Sequence, residues 1–154
     1  MNATTDATQA ARRLWMSVLA RASAAEISSR LAPFTPLPRF TCLRGPESGL
    51  AMLRGRAGGA GAPFNLGEMT VTRCTVRTET GFTGHAYVAG RDARQAELAA
   101  LVDALMQDSV HHDALEKNMI APLAKAQQDR RDAVARKAAA TRVEFFTMAT
   151  MRTS

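Results

Sequence analysis

EMTVTRCTVRTETGFTGHAYVAGRDARQAELAALVDALMQD, residues 68–108, changes its apolar period from two to about 3.6 near Gly90. EMTVTRCTVR is rich in Thr and Val and reads as a strand. Met69 and Val71 alternate on one parity, and Cys74 and Val76 on the other. A bulge near Thr72 and Arg73, or burial of both faces, accounts for that shift. TETG supplies a turn into FTGHAYVAG, a further strand with Phe82, Ala86 and Val88. A helix follows. Asp92 is its N-cap, and Gln95 three residues on completes a capping box. Leu98, Leu101, Val102, Leu105 and Met106 form its apolar stripe.

Upstream, RFTCLR and LAMLRGR flank GPESG, which reads as the turn of a hairpin. Pro33, Pro36 and Pro38 mark an extended linker before it. A helix from about Gln9 to Arg21 and a shorter one near Ala24 to Ala32 come first, with Ile27 and Leu31 at i, i+4 spacing. Met1 to Gln9 is expected to be disordered, and residues 10–154 to form a single domain. Downstream, Asp113 and Glu116 suggest a second capping box after SVHH, and Pro122 either kinks that helix or opens the next. Residues 123–140 are helical by propensity, with a thin apolar face of Leu123, Val134 and alanines. The tail TRVEFFTMATM carries Val143, Phe145, Phe146 and Met148, apolar surface that fits a docked strand or a partner interface. The order implies an α+β fold: an antiparallel sheet of about four strands, helices segregated to one face, an N-terminal helix pair and a long C-terminal helical arm.

The chain of 154 residues carries a net charge of +6, from seventeen Arg and three Lys against 14 acidic residues. Between Arg39 and Arg91 there are seven Arg against Glu47, Glu68 and Glu79, a balance of 7 − 3 = +4. A basic middle fits an anionic ligand or an acidic partner. Aromatic residues are only 5% and form no base-stacking motif, which argues against nucleic acid. Cys42 and Cys74 match no metal or redox spacing and read as buried thiols of a reducing compartment. ARRLWMSVLARASA imitates a signal peptide, but Leu14, Trp15, Val18, Leu19 and Ala22 share one helical face, so it reads as an amphipathic helix. No apolar run is long enough to span a membrane, and the cytoplasm is expected.

The loop between the second and third expected strands holds Gly58, Gly59 and Gly61. A dinucleotide fingerprint needs a third spaced glycine and a helix directly after it; here Phe64 and a strand follow. Two readings stand. The loop can form a nest of amides for a phosphate through Gly59 and Gly61, helped by Arg73 and Arg77, or it can simply connect strands. His85 in its strand reads as a hydrogen-bonded structural residue, and His111 and His112 as a surface loop. Glu68 and Glu97 have no visible acid–base partner. Neither a catalytic residue nor a metal ligand is assigned, and no cofactor is expected in this chain.

RRLWMSVLA, GGAGAPFNLGEMTVTRCTVR, GHAYVAGRDARQAELAALVDALMQ, IAPL and TRVEFFTM, in this order, resemble the PhnG family of the bacterial carbon–phosphorus lyase system. The resemblance spans about Arg12 to Met148. It implies a core complex with PhnH, PhnI and PhnJ. It also implies a role with PhnI, PhnH and PhnL in attack of a phosphonate on the ribose C1 of ATP. Adenine would leave and ribose 1-phosphonate 5-triphosphate would form, with ATP a substrate of the complex and the catalytic residues in partner subunits. A non-catalytic assembly scaffold is the alternative.

Overall fold

The computed structural model describes residues 3–56 and 61–141, with the side chains of 3–7 left aside. The elements run α1 (Ala3–Leu19), α2 (Ala24–Leu31), a 3-10 turn (Ala32–Phe34), β1 (Phe40–Gly55), β2 (Phe64–Thr78), β3 (Thr83–Ala89), α3 (Ala93–Met106), α4 (Ser109–Leu115), a π turn (Glu116–Ile120) and α5 (Ala121–Ala140). The fold is α+β, with an antiparallel sheet in the order β1-β2-β3. The sheet has three strands among the described residues rather than about four.

The difference lies at GPESG, which does not turn. β1 passes straight through it as one strand of 16 residues, paired to β2 from Phe40↔Thr78 to Gly55↔Phe64. The register slips between Cys42 and Arg44 and again between Arg44 and Glu47. Pro46 has no N–H to give a ladder, but β1 is an edge strand and the irregularity absorbs it. Glu47 then accepts ion pairs from Arg44 and from Arg73, the latter at 2.6 Å. β1 and β2 thus form one long antiparallel pair that ends at Gly55↔Phe64.

A register irregularity does fall beside Arg73, but the extra residue is on β1, between Arg44↔Thr75 and Glu47↔Arg73. β2 and β3 pair without a slip from Val71↔Ala89 to Arg77↔Thr83. Thr72, Cys74, Val76 and Thr78 are buried, as are Gly84, Ala86 and Val88 opposite them. The parity change is a change of face: Met69 and Val71 lie half-buried on the side of Arg73 and Thr75, and Cys74 and Val76 lie on the buried side with Thr72.

α3 is the centre of the molecule. It lies along β3 and β2 on one side and meets α1, α2 and α4 on others. The expected stripe is buried, and so are Ala96, Ala99, Ala100, Asp103 and Ala104. A helix enclosed on all sides has to be apolar almost all round. The cover of the sheet is chiefly this one helix; the N-terminal pair packs around it. Asp92 caps it, accepting from the Gln95 amide at 2.9 Å. The Gln95 side chain does not close the box; it donates to the Ala20 and Ala22 carbonyls at 3.2 and 2.7 Å, tying the end of α1 to the start of α3.

α1 begins at Ala3 rather than near Gln9. Ser23 and Glu26 form the full capping box of α2. His111 and His112 are not in a loop: α4 begins before them, capped by Asp108, which accepts from the Val110 amide at 3.0 Å. Pro122 sits in the first turn of α5, where its missing N–H costs little, and the π turn leads the helical path into it. α5 buries Leu123 and Gln127 and then runs out exposed, as its thin apolar face led us to expect.

Candidate functional site

The densest polar cluster centres on Asp103, which is fully buried. Gly84 explains how β3 reaches it. A Cβ at Gly84 would lie 1.9 Å from the Ala100 carbonyl oxygen and 2.5 Å from the Ala104 nitrogen. Only hydrogen at that position lets α3 settle so close to the strand. The Asp103 carboxylate then accepts the His85 backbone N–H at 2.8 Å. It also accepts Trp15 Nε1 at 2.9 Å and Arg12 through Nε at 3.1 Å and Nη2 at 2.7 Å. A buried carboxylate needs such a set of donors and a counter-charge. α1, β3 and α3 are joined at one side chain.

Beside this node an open cleft of about 820 Å³ is lined by Arg12, Trp15, Phe82, Met106, Gln107 and His112, among others. Gln107 donates to the Thr83 and Asp103 carbonyls at 2.8 and 2.9 Å. His112 Nδ1 lies 2.7 Å from the Met106 carbonyl oxygen, so Nδ1 carries the proton and donates. Its ring meets Trp15 edge to face at 5.8 Å. His111 Nδ1 is 3.3 Å from Asp108. Arg12, Trp15, Gln107 and His112 thus all hold structure together at this cleft. Among the described residues every buried side-chain N or O atom has a partner, and no three His, Cys, Asp or Glu residues gather as a metal site.

Of the four residues of the phosphate reading, the described ones, Gly61, Arg73 and Arg77, lie apart along the hairpin. Gly59 lies outside the described residues, and Gly61 is exposed ahead of β2. Arg73 is 73 − 64 = 9 residues up β2 from Phe64, about 30 Å away along a strand. It is held by Glu47. Arg77 is further still, with Nε donating to Thr83 Oγ1 at 3.4 Å. Strand length separates them, and a count along the sequence hides that once a loop is assumed to fold back. Partial desolvation raises the Glu47 pKa, but hydrogen bonds from Arg73 and Arg44 outweigh it and hold the carboxyl below its ordinary range. His85 faces outward with Nδ1 3.1 Å from Thr75 Oγ1, the hydrogen-bonded role expected. Val143, Phe145, Phe146 and Met148 lie outside the described residues.

A feature the sequence reading missed is the β1–β2 ribbon beyond the end of β3. Leu50, Met52, Leu53, Phe64 and Leu66 are all exposed there. The misplaced turn hid it: once GPESG is taken as extended, residues 50–55 fall opposite 64–70. No helix among the described residues is long and apolar enough to cross a membrane.

These features define a helix-centred α+β protein whose polar groups serve its own architecture and whose apolar ribbon is uncovered. A family model described as phosphonate metabolism protein PhnG matches residues 10–151, and the chain belongs to that family. It is also 47% identical, over 146 residues, to the alpha-D-ribose 1-methylphosphonate 5-triphosphate synthase subunit PhnG of Rhizobium meliloti (strain 1021). That alignment covers 93% of this chain and 91% of the relative.

Proposed function

We propose that this chain is a non-autonomous subunit of a cytoplasmic complex that moves a phosphonate onto the ribose C1 of ATP, releasing adenine. The product is ribose 1-methylphosphonate 5-triphosphate when the phosphonate is methylphosphonate. The reading rests on the near full-length likeness to a relative named as a subunit of that synthase. The expected partners are PhnI, PhnH and PhnJ in a core complex, with PhnL joining for the transfer. The bond-making residues belong to partners; the Asp103 node and the Glu47 pairs fit that division, since their charges are already matched within the chain.

The test is adenine release from ATP plus methylphosphonate, with PhnI, PhnH and PhnL present throughout and this chain added or withheld. Release and triphosphate product that require the chain support the reading. Equal product without it overturns it and leaves an assembly scaffold.

A further inference from the structure

β3 is the second edge of the sheet, since the order is β1-β2-β3. Its hydrogen-bonding parity is fixed at both ends. The Thr78 N–H donates to the Phe82 carbonyl and the Gly90 N–H to the Thr70 carbonyl, so Phe82 and Gly90 face β2. Thr83, His85, Tyr87 and Ala89 therefore turn their backbone groups to the open edge. At the Thr83 end those groups are taken. Arg12 and Gln107 donate to the Thr83 carbonyl, and Asp103 accepts the His85 N–H. Further along, nothing among the described residues pairs with the His85 carbonyl, with either backbone group of Tyr87 or with the Ala89 N–H. An unpaired edge of this kind is a template for another strand. The space beside it is shaped for one. A groove of about 310 Å³ lies between this stretch of β3 and α1. Met16, Leu19 and Ala20 line it from α1, and Tyr87, 60% exposed, stands at it from the sheet face away from α3.

We propose that the chain's own tail, residues 142–154, fills this groove as a fourth strand, antiparallel to β3 and ending where Arg12, Gln107 and Asp103 already hold the edge. Those residues lie outside the described ones, and their sequence suits the place. Val143, Phe145, Phe146 and Thr147 are strand formers. Phe145 and Phe146 are consecutive, so a strand sends one to each face. This groove has apolar matter on both: Met16 and Ala20 meet one ring, and Tyr87 lies beside the other. Reach selects the occupant. Gln127 donates to the Val18 carbonyl at 2.9 Å, next to the groove's Leu19, and Arg130 reaches Glu26 at 3.1 Å, so α5 runs along α1 towards the start of α2. From Gln127 to Ala140 is 140 − 127 = 13 residues, about 20 Å of helix. The 154 − 140 = 14 residues after α5 span about 45 Å when extended, enough to return and still pair. Gln95 ties Ala20 and Ala22 to the start of α3, which places Ala89 at that same end of α1. The tail thus enters at Ala89 and runs towards His85. The inference is independent of the subunit reading above.

The test is amide hydrogen exchange of the full chain alone, read by NMR at Tyr87 and Ala89. Both are expected to exchange about a hundredfold more slowly than an open strand edge. Glu144→Pro and Thr147→Pro fall on opposite strand parities, so one of the two removes a ladder N–H. That variant is expected to return Tyr87 and Ala89 to open-edge rates. The double variant Phe145→Asp, Phe146→Asp is expected to do the same. Ala86 and Val88, paired to β2, should keep their protection in every variant and so report an intact fold. Fast exchange at Tyr87 and Ala89 in the wild type overturns the proposal. So does slow exchange that survives all three variants, since α1 alone would then close the edge. Protection that appears only as protein concentration rises assigns the edge to a second copy, and protection that appears only when PhnI and PhnH are added assigns it to a partner's strand; either overturns the tail as occupant.

Discussion

Arg12 and Asp103 meet as a two-point ion pair across 91 residues of sequence, with the Asp103 side chain fully buried and the Arg12 side chain 30% exposed. Removing the guanidinium leaves a carboxylate inside the protein with only Trp15 and the His85 amide to satisfy it. Arg12→Ala is expected to cost about 3 kcal/mol of stability, the usual result of stripping one partner from a buried pair. Arg12→Lys should recover only part, because one ammonium cannot donate from two fixed nitrogens. Urea unfolding of the three proteins measures this; a wild-type midpoint for Arg12→Ala would show that the node contributes nothing.

Gly84 sets the spacing between α3 and β3. Gly84→Ala places a methyl 1.9 Å from backbone oxygen, which no rotamer change relieves. The helix must lift, and the His85–Asp103 hydrogen bond lengthens with it. A loss of about 3 kcal/mol is expected, at the upper end of overpacking. Gly67→Ala, with nothing within 4 Å, serves as the control and should shift the thermal midpoint little. Equal melting temperatures for the two variants would refute the close-approach argument.

The Ser23–Glu26 box gives a pH signature. Glu26 accepts the Ser23 amide at 2.8 Å and its hydroxyl at 2.9 Å, and Arg130 reaches it from α5 at 3.1 Å. The Ser23 backbone bond, then the Ser23 hydroxyl and Arg130, hold the Glu26 carboxyl below the ordinary glutamate range. A lowered folded-state pKa means stability that is complete above 4.5 and lost as pH falls through the folded value. Glu26→Gln should therefore flatten part of the acid-side decline in stability below pH 4.5. At pH 7 Ser23→Ala should cost about 1 kcal/mol. Identical stability–pH curves for wild type and Glu26→Gln would show that the box does not titrate.

How much of this could be read from the chain depends on where partners lie in sequence. The α3 stripe, the Asp92 cap and the β2–β3 hairpin are local patterns, and each stands where its pattern placed it. Nothing in the sequence singles out Asp103, because its donors come from α1 and β3 and no local rule links them. GPESG misled for a physical reason. Gly and Pro favour turns, yet an edge strand with a slipped register tolerates both. That error also concealed the ribbon and made Arg73 look like a neighbour of the glycine loop. The family, in contrast, was legible from several segments in order, since likeness does not require knowing how they pack.

The two thiols differ in a way that chemical labelling reads directly. Only Cys74 is buried as expected, beneath α3 with its Sγ donating weakly to the Arg44 carbonyl at 3.5 Å; Cys42, on the edge strand β1, is exposed instead. Burial, and next the neighbouring Cys42, push the Cys74 thiol up to about 11. The thiolate is the reactive form, so Cys74 is protected twice, by access and by protonation. Iodoacetamide at pH 8 is expected to modify the folded chain once, at Cys42, and twice after denaturation. The raised pKa also fixes a sign: from pH 9 towards 11 the unfolded thiol ionises while the folded one does not, so stability falls across that window. Cys74→Ala should remove that part of the alkaline decline while opening a small cavity that lowers stability at every pH. Peptide mapping that finds Cys74 labelled in the folded chain as fast as Cys42 would mean that α3 does not seal this part of the sheet.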